Sequence, residues 1–205
     1  MPQVTEKYLE DRKNKIAKAA VNVFSKKGYS NTTMKDIMDE AKVSRGGLYA
    51  HFENIDSVFI AALKYDDSSP HNRFLTPNPD EPLLSQIKNW VQKIGMSLQN
   101  REDCLVRAKS EFFLSHDVSK VPYLRERHEK LAQDIQLVIK MGIKTGEFKN
   151  QIDVNSFAEL LIALIDGVML HHCYQYSSSF NLLEILGLIE KMIENSLSSG
   201  GAYNV

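Results

Sequence analysis

Ser44, Arg45, Tyr49 and His51 lie within one short stretch, Gly46 and Gly47 stand between them, and Thr33 and Lys35 come shortly before. These groups can do recognition chemistry. A serine hydroxyl and the tips of Tyr49 and His51 can hydrogen-bond phosphate oxygens. The Arg45 guanidinium matches the O6/N7 edge of guanine, and the Tyr49 ring can lie on a thymine methyl. Gly46 and Gly47 have no side chains and let a backbone come close to a partner. Two glycines inside a helix cost about 1 kcal/mol each relative to alanine, which a purely structural helix would avoid. Leu48 and Phe52 alternate with the polar set as apolar anchors. A short helix held by its apolar side and presenting the other side suits the major groove of double-stranded DNA. The plainer alternative is a helical hairpin whose glycine pair permits tight packing.

The elements that must position these residues read as helices. In a first helix over about 8–27, Ile16, Ala19, Ala20, Val23 and Phe24 recur at helical spacing, and Gly28 is a stop. Thr33-Met34-Lys35-Asp36 has the form of a capping box, with Ile37 and Ala41 facing inward. The positive end of that helix and its Thr33 and Lys35 can hold the phosphate backbone across the groove. Lys42 and Val43 form the turn, and Ser44 caps the next helix. Asn54 caps a fourth helix with Asp56 in its first turn, and Val58, Phe59, Ala62 and Leu63 supply its apolar face. Residues 66–82, rich in Asp, Ser and Pro, read as a loop or hinge. Helices are then expected over about 83–99, 102–115, 121–145, 154–175 and 180–198, with a frayed tail from Ser198. No convincing strand pattern occurs.

The 205 residues are 43% apolar and 25% charged, the composition of an ordinary globular chain. Residues 1–65 hold 11 Lys and Arg against 8 Asp and Glu, and the remainder holds 14 against 18. A mildly basic first part fits a phosphate-facing surface. Cys104 and Cys173 are far apart and outside any metal or redox spacing, so neither a disulfide framework nor a zinc site is expected, and a reducing cytoplasm fits. The polar start of the chain does not read as a signal peptide. The apolar run Phe157 to Leu170, interrupted by Glu159 and Asp166, reads as too short for a membrane span. No cofactor or metal is expected.

That run is apolar nearly all round, and so is the last helix with Leu182, Leu183, Ile185, Leu186, Leu188, Ile189, Met192 and Ile193. Such helices are buried on more than one side, one side on their own domain and the other on a second copy. Phe157, Leu161, Leu164, Gly167, Leu186, Ile189 and Ile193 are the expected dimer contacts, with Gly167 and Gly187 permitting close helix approach. Trp90, Ile94, Phe112, Phe113, Tyr123, Met141, His171 and His172 are the candidates for a mostly apolar cavity suited to a lipophilic or aromatic effector. Aromatic and methionine residues at helical spacing equally suit an ordinary core.

From about Ile16 to Leu63 the chain resembles the N-terminal domain of the TetR family of bacterial transcriptional regulators. The resemblance rests on Ala19-Ala20, Phe24, Gly28-Tyr29, Thr32-Thr33-Met34, Asp36-Ile37, Val43-Ser44-Arg45-Gly46, Leu48-Tyr49 and His51-Phe52 at family-typical spacing. It implies an all-α fold, a homodimer, and repression relieved by a small ligand bound in the C-terminal domain. Two positions depart from the family pattern. Lys42 stands where the turn commonly has glycine, which strains the backbone or adds a phosphate contact. Ile55 stands where a lysine is common at the start of the fourth helix.

The resulting expectation is a helix-turn-helix DNA-binding domain over 1–53, a connecting helix and hinge over 54–82, and a helical effector-binding and dimerisation domain over 83–205. The DNA-binding set is Thr33, Lys35, Lys42, Ser44, Arg45, Gly46, Gly47, Tyr49 and His51, and the operator is an inverted repeat. Two competing readings are a helical enzyme pairing His171 with Asp166 or Glu159, and a DNA-binding dimer with no effector. The first lacks a nucleophile elbow, a phosphate loop and a metal motif.

Overall fold

The computed structural model describes residues 6–68, 77–99, 105–174 and 180–198. Among these, nine α-helices follow one another: α1 (Glu6–Lys27), α2 (Met34–Ala41), α3 (Arg45–Tyr49), α4 (Ile55–Ser68), α5 (Leu83–Gln99), α6 (Val106–Ser115), α7 (Pro122–Thr145), α8 (Val154–Tyr174) and α9 (Leu182–Leu197). Strand-like pairing among the described residues is confined to an isolated bridge between Phe148 and Ser198. That bridge fixes Ser198, where the sequence suggests fraying; the rest of the tail, like Cys104, lies outside the described residues. α4 continues through Asp66 and Asp67, so the helix runs further than the acidic composition there suggests.

The chain folds into two compact units. The first comprises residues 1–73 and 100–118, and the second 74–99 and 119–205. This differs from a single division near residue 83, because α6 belongs with α1–α4. The reason is aromatic packing. Phe112 of α6 is 1% exposed, with ring centroids 4.7 Å from Phe59 of α4 and 4.9 Å from Tyr29. Phe24 of α1 closes the cluster edge-on to Phe59. Such edge-to-face pairs add to the benefit of burial itself. Ile16, Ala20, Ile37, Leu48, Val58, Ala62 and Leu63 complete this core.

In the second unit α5 packs on α7, α8 and α9, and α8 also packs on α7 and α9. Ile87, Val91, Leu98, Ile135, Val138, Ile139, Leu161, Leu186 and Ile193 are buried there. Gly142 admits the buried Phe148 ring, which a side chain at that position would strike. The Glu147 carboxylate accepts from the Leu83 and Leu84 amides at 3.0 and 2.8 Å, satisfying donors at the start of α5. α8 extends the apolar run at both ends. Its Val154–Cys173 segment, mean hydropathy 1.4, is long and apolar enough by length and composition to cross a membrane, contrary to the shorter run read from sequence. Ala158, Leu161, Ile162 and Ile165 are buried in this unit.

Candidate nucleic-acid interface

The helix-turn-helix is built from caps. The Thr33 hydroxyl accepts from the Asp36 amide at 3.2 Å, while the Asp36 carboxylate accepts from the Thr33 amide at 3.0 Å and hydroxyl at 2.9 Å. Lys27 Nζ reaches the other Asp36 oxygen at 2.7 Å. The Lys27 hydrogen bond, followed by those of the Thr33 amide and hydroxyl, holds the Asp36 carboxyl down at about 2. Thr33 is therefore committed to its cap. Lys35 is exposed and has no acidic partner among the described residues.

α2 ends at Lys42, whose φ of 55° and ψ of 48° are left-handed. A lysine there carries a strain of about 1 kcal/mol, and the turn itself is regular. Ser44 Oγ accepts from the Gly47 amide at 3.1 Å and caps α3. Leu48 is fully buried and Phe52 nearly so, which seats α3 by one side. Arg45, Gly46, Tyr49 and Ala50 are exposed on the other. The Arg45 guanidinium sits 5.6 Å from the centroid of the Tyr49 ring, a cation–π distance. His51 is half-buried, its ring 6.4 Å from that of Phe52. Asn54 Oδ1 accepts from the Ser57 amide at 2.9 Å and caps α4, and Ile55 is its half-buried first residue.

The two glycines of α3 are not equivalent. A Cβ at Gly46 would meet open space, so a backbone approach is available there. At Gly47 it would meet Arg12 Nη2 of α1 at 3.2 Å and Ser44 Oγ at 3.3 Å. Local spacing does not distinguish the two glycines, and Arg12, two helices back on α1, carries no local motif.

Polar ties between α6 and the rest of the first unit carry no signal in the sequence. Glu111 accepts from the Ser30 amide at 2.8 Å and pairs with Arg107 at 2.7 Å. Burial raises the Glu111 carboxyl, but the Ser30 and Arg107 hydrogen bonds outweigh it and its pKa falls below the usual value. Tyr29 donates its hydroxyl to Asp56, and burial, that hydrogen bond and the Asp56 charge all raise the phenol pKa. His116 Nε2 stands 3.5 Å from the same Asp56 carboxylate, and its ring stacks on Phe112 at 4.0 Å. Glu111, Phe112 and His116 are some fifty to eighty residues from Ser30, Tyr29, Phe59 and Asp56, so no spacing rule links them.

The effector candidates do not converge. Phe112 is core of the first unit, and Phe113 is half-buried on the same helix. Trp90, Ile94, Tyr123, Met141 and His172 are half-buried in the second unit, where His172 Nε2 donates to the Leu98 carbonyl at 3.0 Å. His171 is exposed, its ring parallel to that of Phe180. It borders an open apolar depression of about 300 Å³ with Ala163, Leu164, Gly167, Val168, Phe180 and Ile185. Of the expected dimer contacts, Leu161, Leu186, Ile189 and Ile193 are buried in their own unit and have no surface for a partner. On α8 and α9 the exposed large apolar residues, among those described, are Leu160 (50%), Leu183 (56%) and Leu188 (64%). Phe157, Leu164 and Gly167 remain partly exposed, and a Cβ at Gly167 or Gly187 would meet nothing, so neither marks a close helix approach within the chain.

Two family models match this chain. Residues 16–62 match the tetR family of bacterial regulatory proteins, and residues 86–178 match the tetracyclin repressor-like C-terminal domain. The chain is 24% identical to the uncharacterized HTH-type transcriptional regulator YfiR of Bacillus subtilis, covering 84% of this chain and 85% of that one. It is also 24% identical to the HTH-type transcriptional regulator TtgR of Pseudomonas putida, with 96% and 95% covered. Among solved structures, the reduced form of Escherichia coli NemR aligns with a TM-score of 0.78 at 15% identity, covering 94% of this chain and 100% of that one. A TetR transcriptional regulator from Chloroflexus aurantiacus aligns at 0.76 and 18% identity, covering 92% and 97%. These two likenesses show the shared fold. The family and the relatives are transcriptional regulators rather than enzymes, which removes the enzyme reading. With a capped helix-turn-helix at its start and a helical domain behind it, the chain belongs to the TetR family of bacterial transcriptional regulators.

Proposed function

We propose that this regulator is a repressor that binds an inverted-repeat operator as a homodimer and is released by a lipophilic or aromatic small molecule in the cytoplasm. The observation that carries the reading is the presentation of α3. Leu48 and Phe52 are buried, while Arg45, Gly46 and Tyr49 face outward. In this reading Arg45 addresses a base edge, and Ser44, Tyr49, His51, Lys35 and Lys42 address phosphates. Two α3 helices, one per protomer, enter successive major grooves about one helical turn apart.

The second copy docks on an apolar stripe. Leu160, Ala163, Leu164, Gly167, Val168 and His171 recur along one side of α8, and Ile185 and Leu188 continue the stripe on α9. An exposed apolar strip of this kind suits a subunit interface. The effector is taken up by the second unit, whose half-buried Trp90, Ile94 and Met141 side chains and His172 imidazole offer apolar surface and a polar group. Ligand binding shifts α4 and favours the state with lower DNA affinity, to the extent that the ligand distinguishes the two states.

The test is selection of bound sequences from random duplex DNA by the full chain, read at two salt concentrations. A palindromic motif is the expected result. Sequence-blind binding that vanishes with salt would overturn the reading.

A further inference from the structure

The Gly47 position is filled from another helix. A Cβ built there would touch Arg12 Nη2 at 3.2 Å, so the guanidinium of an α1 residue lies against the flank of α3. Arg12 is half-buried, and its Nη1 donates to Tyr8 Oη one turn back, at 3.2 Å. Among the described residues no carboxylate pairs with it. A guanidinium has five N–H donors in a planar fork and stays charged at any working pH. One donor is used here. The remaining donors meet no acceptor among the described residues, so the fork is open to an anion from outside.

We infer that Arg12 is a further DNA-contact residue, placing its guanidinium on a backbone phosphate beside the groove that α3 enters, and that residue 47 is glycine to seat it. The inference rests on the DNA-reading function of α3. It divides the glycine pair, with Gly46 leaving room for the DNA and Gly47 leaving room for Arg12. Guanidinium and phosphate pair in a two-pronged geometry that an ammonium cannot reproduce. Such a contact fixes the protein on the duplex and carries no sequence information.

The test measures affinity of the full chain for its selected operator and for a scrambled duplex, over a series of salt concentrations. The proteins are wild type, Arg12→Gln, Arg12→Lys, Gly47→Ala and the double variant Arg12→Gln/Gly47→Ala. Arg12→Gln is expected to weaken both duplexes several-fold and by the same factor, and to lower the slope of log K against log salt by about 0.9. Arg12→Lys recovers the slope and part of the affinity. Gly47→Ala, which pushes the guanidinium aside, weakens binding in the wild-type background and adds little once Arg12 is gone.

An unchanged slope in Arg12→Gln would overturn the inference while leaving the operator reading intact. So would a loss confined to the operator, which would make Arg12 a base reader. Equal effects of Gly47→Ala with and without Arg12 would overturn the seating role. Failure of the wild-type chain to prefer any duplex would overturn both the operator reading and this one.

Discussion

Lys42 closes α2 in a left-handed conformation that glycine adopts without steric cost. Lys42→Gly should therefore raise the stability by up to about 0.5 kcal/mol, read as a higher urea midpoint, because the relieved strain exceeds the entropy gained by the unfolded chain. A lower midpoint would show that the lysine stem stabilises the turn by packing. Arg45 poses a question of recognition rather than stability, since it is exposed and rests on the exposed Tyr49 ring. Arg45→Ala should cost about 1–3 kcal/mol of operator binding and relax the base preference at one position per half-site. Lys35→Ala should instead weaken all duplexes evenly. Selection experiments on the two variants separate these outcomes, and unchanged preference in Arg45→Ala would move base reading to its neighbours.

At the scale of the element, α6 is the helix whose role the structure changes. It brings Phe112 into the aromatic core with Phe24, Tyr29 and Phe59, and Glu111 onto the Ser30 amide. Gly28 makes the approach possible, since it is left-handed and a side chain there would meet the Glu111 carboxylate at 2.7 Å. Phe112→Ala should consequently destabilise the protein by about 3–5 kcal/mol, measured by urea denaturation without ligand. A variant of unchanged stability that lost only effector response would return Phe112 to the ligand site. α6 is joined at both ends, through residues 99–100 and 118–119, to the second unit. In the proposed function, a displacement of α6 is the movement that would reach the helix-turn-helix when effector binds.

For the molecule as a whole, the proposed dimer depends on surface that one chain leaves uncovered. Leu188 is 64% exposed and Leu160 is 50% exposed. Leu188→Glu, alone or with Leu160→Glu, should leave the helix content intact, sediment as a monomer, and bind the full operator with greatly reduced affinity, because each half-site is then held separately. A dimer that survives both changes would place the interface on another face. Burial also explains why Leu161, Leu186, Ile189 and Ile193 would be poor probes: substituting them disrupts the core of the second unit itself.

The first sixty residues were legible in the sequence because their signals are local. The Thr33–Asp36 box, the Ser44 and Asn54 caps, the Gly28 stop and the spacing of Ile16, Ala20 and Phe24 each act within one or two helical turns, and the helices follow them. The helices of the second unit were legible in extent for the same reason. Their facing was not, because α8 and α9 are apolar on several sides and only packing decides that Leu186 turns inward while Leu188 stays at the surface. The assignment of α6 to the first unit, the separate surroundings of Gly46 and Gly47, and the position of Arg12 were likewise decided by tertiary structure. Each depends on side chains distant in sequence meeting in space, and helical periodicity carries no information about which faces meet.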